Sequence, residues 1–219
     1  MKKITALFLI MVMLSSVFTA CGNVSQTYAS YVQAVMDCTY HGDTAQYIAL
    51  TNATEQQAQM VYQTEIHSVV SLICQKFDVD MNYVSDAIYE EYADFARRLL
   101  SQIEYKAEPS IKANGVYQVT LTAKPPVFWE TAFTYVENAY VSEYLPKFAK
   151  IPENDSTRYG AEMTNWSKKV VTVLNEHFSE ITFQDTKYTI IQIQPDSLGR
   201  YNISEQKWRA VDRFLLGLD

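Results

Sequence analysis

Residues 105–123 constrain the fold more than any other stretch. Tyr105, Ala107, Pro109 and Ile111 alternate with Lys106, Glu108, Ser110 and Lys112. Beyond Asn114-Gly115, Tyr117, Val119, Leu121 and Ala123 alternate with Gln118, Thr120 and Thr122. A period of two is the pattern of a half-buried strand, and Asn-Gly between two such runs tolerates the positive φ of a tight hairpin turn. Pro109 removes one backbone N–H, which puts the first strand at a sheet edge. A lone hairpin is marginal in water. One of its faces must therefore lie on other elements, while the second meets solvent.

Those other elements read as helices. Tyr28 to Thr39 carries Tyr28, Tyr31, Val32, Val35 and Met36 on one side, and Gly42 just beyond suits a left-handed cap. Ala45 to Leu50 adds a turn. Thr54-Glu55-Gln56-Gln57 has the form of a capping box. Behind it Ala58, Tyr62, Ile66, Val69, Ile73 and Phe77 fall at steps of three and four. A third helix, Asn82 to Ile103, buries Val84, Ile88, Tyr92, Phe95, Leu99 and Ile103, with an Asp94–Arg98 pair predicted on its wet side. After Lys124-Pro125-Pro126, a helix is expected over Phe128 to Lys147, stopping near Pro146. Pro152 to Ser156 reads as a loop, and Thr157 to Phe178 as a further helix. Strands at Ile181–Gln184 and Tyr188–Gln194, a Pro195–Gly199 turn and a Ser204-capped helix from Glu205 to Leu216 complete the chain. Helices grouped ahead of each strand pair indicate an α+β fold with antiparallel strands. We expect a single domain over residues 28–219, with about five to six helices packed on the hairpin strands.

The N-terminus is of another kind. Lys2 and Lys3 precede an apolar, uncharged run from Ile4 to Val17, and Phe18-Thr19-Ala20-Cys21 closes it. The run is shorter than the ~20 residues a membrane span requires. Small residues before a Cys resemble the lipobox of bacterial signal peptidase II, with Phe18 where Leu is usual. Residues 1–20 are then a signal peptide cleaved between Ala20 and Cys21, and Cys21 is acylated on its thiol. A transmembrane anchor and ordinary secretion after Ala20 are the alternatives. Residues 21–27 form the lipidated Cys and a short tether, which keeps the domain close to the bilayer.

Charge narrows the partners. The leader holds two of the 18 basic residues, which leaves 16 against 25 acidic and a formal charge of −9. Such a balance argues against nucleic acid and against a polybasic contact with anionic lipid. Beside Cys21 the chain has Cys38 and Cys74, on separate predicted helices. They form either a disulfide or two buried thiols. Without a Cys-x-x-Cys or Cys/His group, neither zinc nor thiol redox chemistry is indicated.

Candidate chemistry is sparse, and each pattern has a plain structural explanation. Ser204-Glu205-Gln206-Lys207 spells the Ser-x-x-Lys of β-lactamases and penicillin-binding proteins. No Lys-Thr-Gly or Ser-Asp-Asn element accompanies it, so Ser204 is expected to be a helix cap. His41, His67 and His177 are scattered, and His177 suits a helix C-terminus. Asp78 with Asp80, and Glu153 with Asp155, lack the further ligands of a calcium loop. Pro125 to Trp129 offers an aromatic platform. Paired carboxylates for acid catalysis would be visible only in space. We therefore assign no catalytic, cofactor or metal residues.

Tyr31-Val32-Gln33-Ala34-Val35-Met36-Asp37 running into Tyr40-His41-Gly42-Asp43, the Glu/Gln-rich second helix and Tyr105-Lys106-Ala107-Glu108 together resemble lipoproteins of Gram-positive, clostridia-type bacteria that have no assigned activity. The resemblance implies an address on the outer face of the cytoplasmic membrane and an α+β fold, and adds no catalytic residue. The expected function is a non-enzymatic binding or interaction module for an envelope ligand or protein partner. An envelope hydrolase using acidic residues, or a structural assembly protein, are the alternatives.

Overall fold

The computed structural model describes residues 24–114, 116–195 and 201–218. The expected leader and cleavage site, Cys21 and residues 196–199 of the expected turn lie outside them. Helix α1 (Val24–Met36) runs into a π-helical turn, Asp37–His41, closed by Gly42 at φ 70°. A side chain at Gly42 would also meet the Tyr62 ring at 3.1 Å, so both conformation and space select glycine. Helices α2 (Ala45–Thr51) and α3 (Glu55–Lys76) follow. The capping box forms: Gln57 N–H donates to Thr54 Oγ1, and Thr54 N–H to Gln57 Oε1. Met81–Tyr83 makes one 3-10 turn before α4 (Asp86–Ser101), which Ser85 caps. On its wet side the pairing differs from expectation. Arg97, one residue earlier, binds Asp94 and Glu90, while Arg98 reaches Asn175 and lies over the Phe178 ring.

The hairpin exists, with one correction that changes its chemistry. Its first arm is two strands, β1 (Glu104–Ala107) and β2 (Ile111–Ala113), both antiparallel to β3 (Val116–Lys124). Ala107 pairs with Leu121, but Ile111 pairs with Gln118. Three residues, Glu108 to Ser110, therefore face two, Val119 and Thr120, so this stretch holds one extra residue near Pro109. A one-residue slip moves side chains to the opposite face. Ile111 is thereby turned to solvent, at 64 % exposure.

The remaining elements are β4 (Pro126–Val127), α5 (Trp129–Ala139), a π-helical turn at Tyr140–Tyr144, α6 (Leu145–Phe148), α7 (Ser156–Glu176), β5 (Thr182–Phe183), β6 (Lys187–Pro195), β7 (Tyr201–Asn202) and α8 (Glu205–Leu215). Pro146 does not end a long helix. It opens α6, where the missing N–H has no partner to lose. Asp155 caps α7 from within the expected loop. The second strand pair is also rearranged: β5 joins β4, and β6 joins β3 over Lys187–Ile193 in one sheet of order β1-β3-β6-β7.

The protein is α+β, and the alternation in β3 shows how its layers meet. Val119, Leu121 and Ala123, with Ile191 and Ile193 opposite, are buried beneath the helices. The core is rich in rings with polar handles: Trp166 Nε1–H donates to Phe77 O, and Tyr92 Oη to Ser167 O. Among the described residues no helix is long and apolar enough to cross a membrane.

Candidate functional site

The polar groups that converge inside the molecule lie where α8 closes over the π-helical turn. Tyr40 is completely buried and its hydroxyl donates to the Asp212 carboxylate of α8. Glu65, on the core side of α3 at 4 % exposure, shares this interior and feels the charge of Asp212. Burial first, then Asp212, hold the Glu65 carboxyl well above the usual carboxylate range. Burial likewise pushes Asp212 up to about 6, against the opposing pull of the Tyr40 hydroxyl and the Arg209 charge. Two carboxyls in one low-dielectric space cannot both ionise cheaply. Both shifts therefore run toward the protonated form.

A second polar string lies alongside. Asp37 accepts from Gln33 Nε2 at 2.9 Å and from Tyr105 Oη at 3.0 Å, and Gln33 Oε1 accepts the backbone N–H of Ala107 at 2.9 Å. His41 Nε2 sits 3.2 Å from Ile103 O, and the Tyr40 and Tyr105 rings meet edge to face. These bonds fasten α1 to β1 along its length. The π-helical turn carries Asp37, Tyr40 and His41 within five residues and aims them at α8, β1 and the end of α4. Such widened turns often mark functional positions. Here the partners of Asp37, Tyr40 and His41 all belong to neighbouring elements of the same fold.

The residues singled out in the sequence stay apart. His67 Nδ1 meets Tyr89 Oη, and His177 pairs with Glu180 at 2.8 Å while stacking on Tyr135. The three histidines share no site. Cys38 and Cys74 are buried, free thiols rather than a disulfide. Burial pushes them up to about 11 and about 12 respectively, which makes both poor nucleophiles. Ser204 accepts from Lys207 N–H as a helix cap, and Asp80 and Asp155 cap their own turns. The aromatic platform does not form: Phe128 and Trp129 are buried, with Trp129 Nε1–H bonded to Leu216 O, and Val127 alone among the large residues of that run is exposed. Sequence inspection missed Glu65 and Asp212. Glu65 lies one residue before Ile66 of the apolar stripe, and Asp212 sits beside Val211, positions that only three-dimensional packing marks as interior.

The outer face of the sheet is the complementary feature. Gln118, Thr120 and Thr122 of β3 point away from the helices, opposite Gln192, Ile190 and Tyr188 of β6. Tyr188 is 72 % exposed and Ile190 45 %. Ile111 joins this face beside Gln118. The surface is flat and uncharged at its centre, with neutral hydrogen-bonding groups around apolar ones.

No protein-family model matches the chain. No curated protein matches it either. Among solved structures it is similar in fold to a candidate lipoprotein, ycdA, from Bacillus subtilis subsp. subtilis str. 168, with a TM-score of 0.52 and 14% sequence identity. The match covers 84% of this chain and 53% of the neighbour, so the chain spans about half of that protein's length.

Proposed function

We propose that the protein is a lipoprotein held through Cys21 on the outer face of the cytoplasmic membrane, acting there as a non-enzymatic interaction module. The observation that carries the reading is the leader: two lysines, an uncharged apolar run too short to span a bilayer, and small residues before Cys21. The fold likeness to a candidate lipoprotein and the lack of a spanning helix among the described residues agree with it. The outer sheet face supplies the binding chemistry. An exposed Tyr ring offers an apolar surface, and Thr and Gln side chains offer neutral donors and acceptors. That combination suits a neutral, hydroxyl-rich envelope ligand such as a wall glycan. Two measurements test the reading. Full-length protein expressed in a Gram-positive host should fractionate with membranes and carry acyl mass on Cys21, and Cys21→Ser should be released. The domain from residue 22 onward should gain thermal stability with wall fragments, since ligand at ~100 times its Kd adds ~2.7 kcal/mol.

One observation favours a second reading, the envelope hydrolase. Glu65 and Asp212 are two buried carboxyls that burial shifts toward the protonated form, and raised carboxyls are what acid catalysis uses. Their burial under α8 makes them a closing element of the core in this structure. Turnover of peptidoglycan that disappears in both Glu65→Gln and Asp212→Asn, with the fold intact, would replace the binding reading by this one.

A further inference from the structure

The lipid anchor and the geometry of α1 together orient the domain. The Tyr28 ring lies 4.1 Å from Tyr117, at the start of β3; Gln33 holds Ala107, Asp37 holds Tyr105, and His41 lies at Ile103. Helix α1 therefore begins at the β2–β3 turn and runs away from it. Val24 precedes Tyr28 by four residues, ~6 Å of helix at 1.5 Å per residue. Cys21 is three residues earlier, which at full extension is at most ~11 Å of chain. An acylated Cys21 thus cannot lie far from the β2–β3 turn.

What that end of the sheet exposes is suited to a bilayer surface. The extra residue at Glu108–Ser110 turns Ile111 outward at 64 % exposure. Lys112 follows it, its ammonium 5.3 Å from the Tyr117 ring centroid. Glu108, the nearest acid on that arm, is paired with Lys106 at 2.8 Å. Ile111, opposite Gln118, and Lys112, opposite Tyr117, stand on the two faces of the same strand end, so this end offers an apolar side chain and a cation on a long flexible stem to the two layers of a membrane interface, acyl boundary and phosphate.

We infer that the β2–β3 end is the membrane-facing surface of this protein, with Ile111 seated in the interfacial layer and Lys112 against lipid phosphate. This rests on the lipidation of Cys21. The strands then stand away from the membrane, and the nine residues of β6 carry the Asp185 turn ~30 Å from it. The outer sheet face is presented sideways to whatever lies beside the protein.

The test uses the full-length lipidated protein in phosphatidylcholine–phosphatidylglycerol vesicles that contain a headgroup-attached quencher. Ile111→Cys, Lys112→Cys and Asp185→Cys each receive a fluorescent label; the native Cys38 and Cys74 are buried, and unmutated protein checks that they stay unlabelled. All three positions are exposed, so folding is preserved. Quenching at 111 and 112 should exceed that at 185 at least twofold. Equal quenching, or stronger quenching at 185, overturns the orientation. Mass spectrometry of the same samples separates the two readings: acylated Cys21 with reversed quenching overturns the orientation alone, whereas unacylated Cys21 overturns both.

Discussion

The two faces of β3 differ in everything except their backbone. Toward the helices, Val119, Leu121 and Ala123 pack without exposure; on that side Tyr40 is bonded to Asp212 and Tyr105 to Asp37, and Glu65 is buried within the charge field of Asp212. Toward solvent, Gln118, Thr120 and Thr122 stand beside Tyr188 and Ile190 with no element over them among the described residues. On β3, the titratable groups that burial shifts thus lie on the helix side, while the centre of the reachable side is uncharged and its charges, Lys106 with Glu108 and Lys124 with Glu104, are paired toward the β1 edge. Unusual electrostatics here follow from burial, and the surface open to a partner is recognised by exposure and shape.

Adjacent substitutions on one strand break or uphold that contrast most directly. Leu121→Ala should cost about 2–5 kcal/mol, the range for removing a fully buried Leu, whereas Thr122→Ala next to it should stay within ~0.5 kcal/mol. Urea denaturation of the two proteins measures the gap, and similar values would show that the outer face is as well packed as the inner. Tyr40→Phe should come next. It removes the hydroxyl that donates to Asp212 and leaves a buried carboxyl oxygen without that donor, at about 1–3 kcal/mol. The loss should be larger at pH 8 than at pH 5, because the bond is strongest to an ionised carboxylate.

The carboxyl pair supplies a pH-dependent version of the same comparison. Carboxyls of the unfolded chain titrate near pH 4, while Asp212 is raised to about 6 and Glu65 is raised well above its usual range. The folded protein therefore binds more protons than the unfolded one between these limits. The stability that the pair contributes is complete below about pH 4 and is lost as pH rises through the folded values. Glu65→Gln replaces the second acid by a neutral group. It should raise Tm relative to the unmodified protein at pH 8, by about 2–4 °C for each kcal/mol relieved, with a smaller gap at pH 5. A gap that does not widen with pH would show that the two carboxyls titrate independently of folding.

How much of this was legible in the sequence depended on the range of the interaction. The Thr54 capping box, the Gly42 cap, the α3 and α4 stripes and the alternation of β3 are set by neighbours a few residues apart, and all appear as read. The pairing of β6 with β3 links residues some 70 positions apart, and nothing local distinguishes it from a second hairpin. The face of Ile111 depended on one inserted residue near Pro109, which period-two counting smooths over. The Glu65–Asp212 site was invisible for the same reason on a larger scale: two ordinary acids on helices remote in sequence become a coupled pair only when α8 docks. The proposed leader and anchor, by contrast, rest on consecutive residues of the sequence alone.

The smallest stability effect should be at Tyr188. Its side chain is 72 % exposed on the outer face, so folding removes little of its surface from water, and Tyr188→Ala should change stability by no more than ~0.5 kcal/mol. The same residue is the largest exposed group on the surface offered to a ligand. If that surface binds wall glycan, losing the ring should weaken binding about tenfold, which corresponds to ~1.4 kcal/mol. Titration of wall fragments against the unmodified and Tyr188→Ala domains, at equal measured stability, reads the two effects separately. Unchanged affinity would move the binding site off this face, and a loss of stability approaching that of Leu121→Ala would mean that the face is covered in the intact protein.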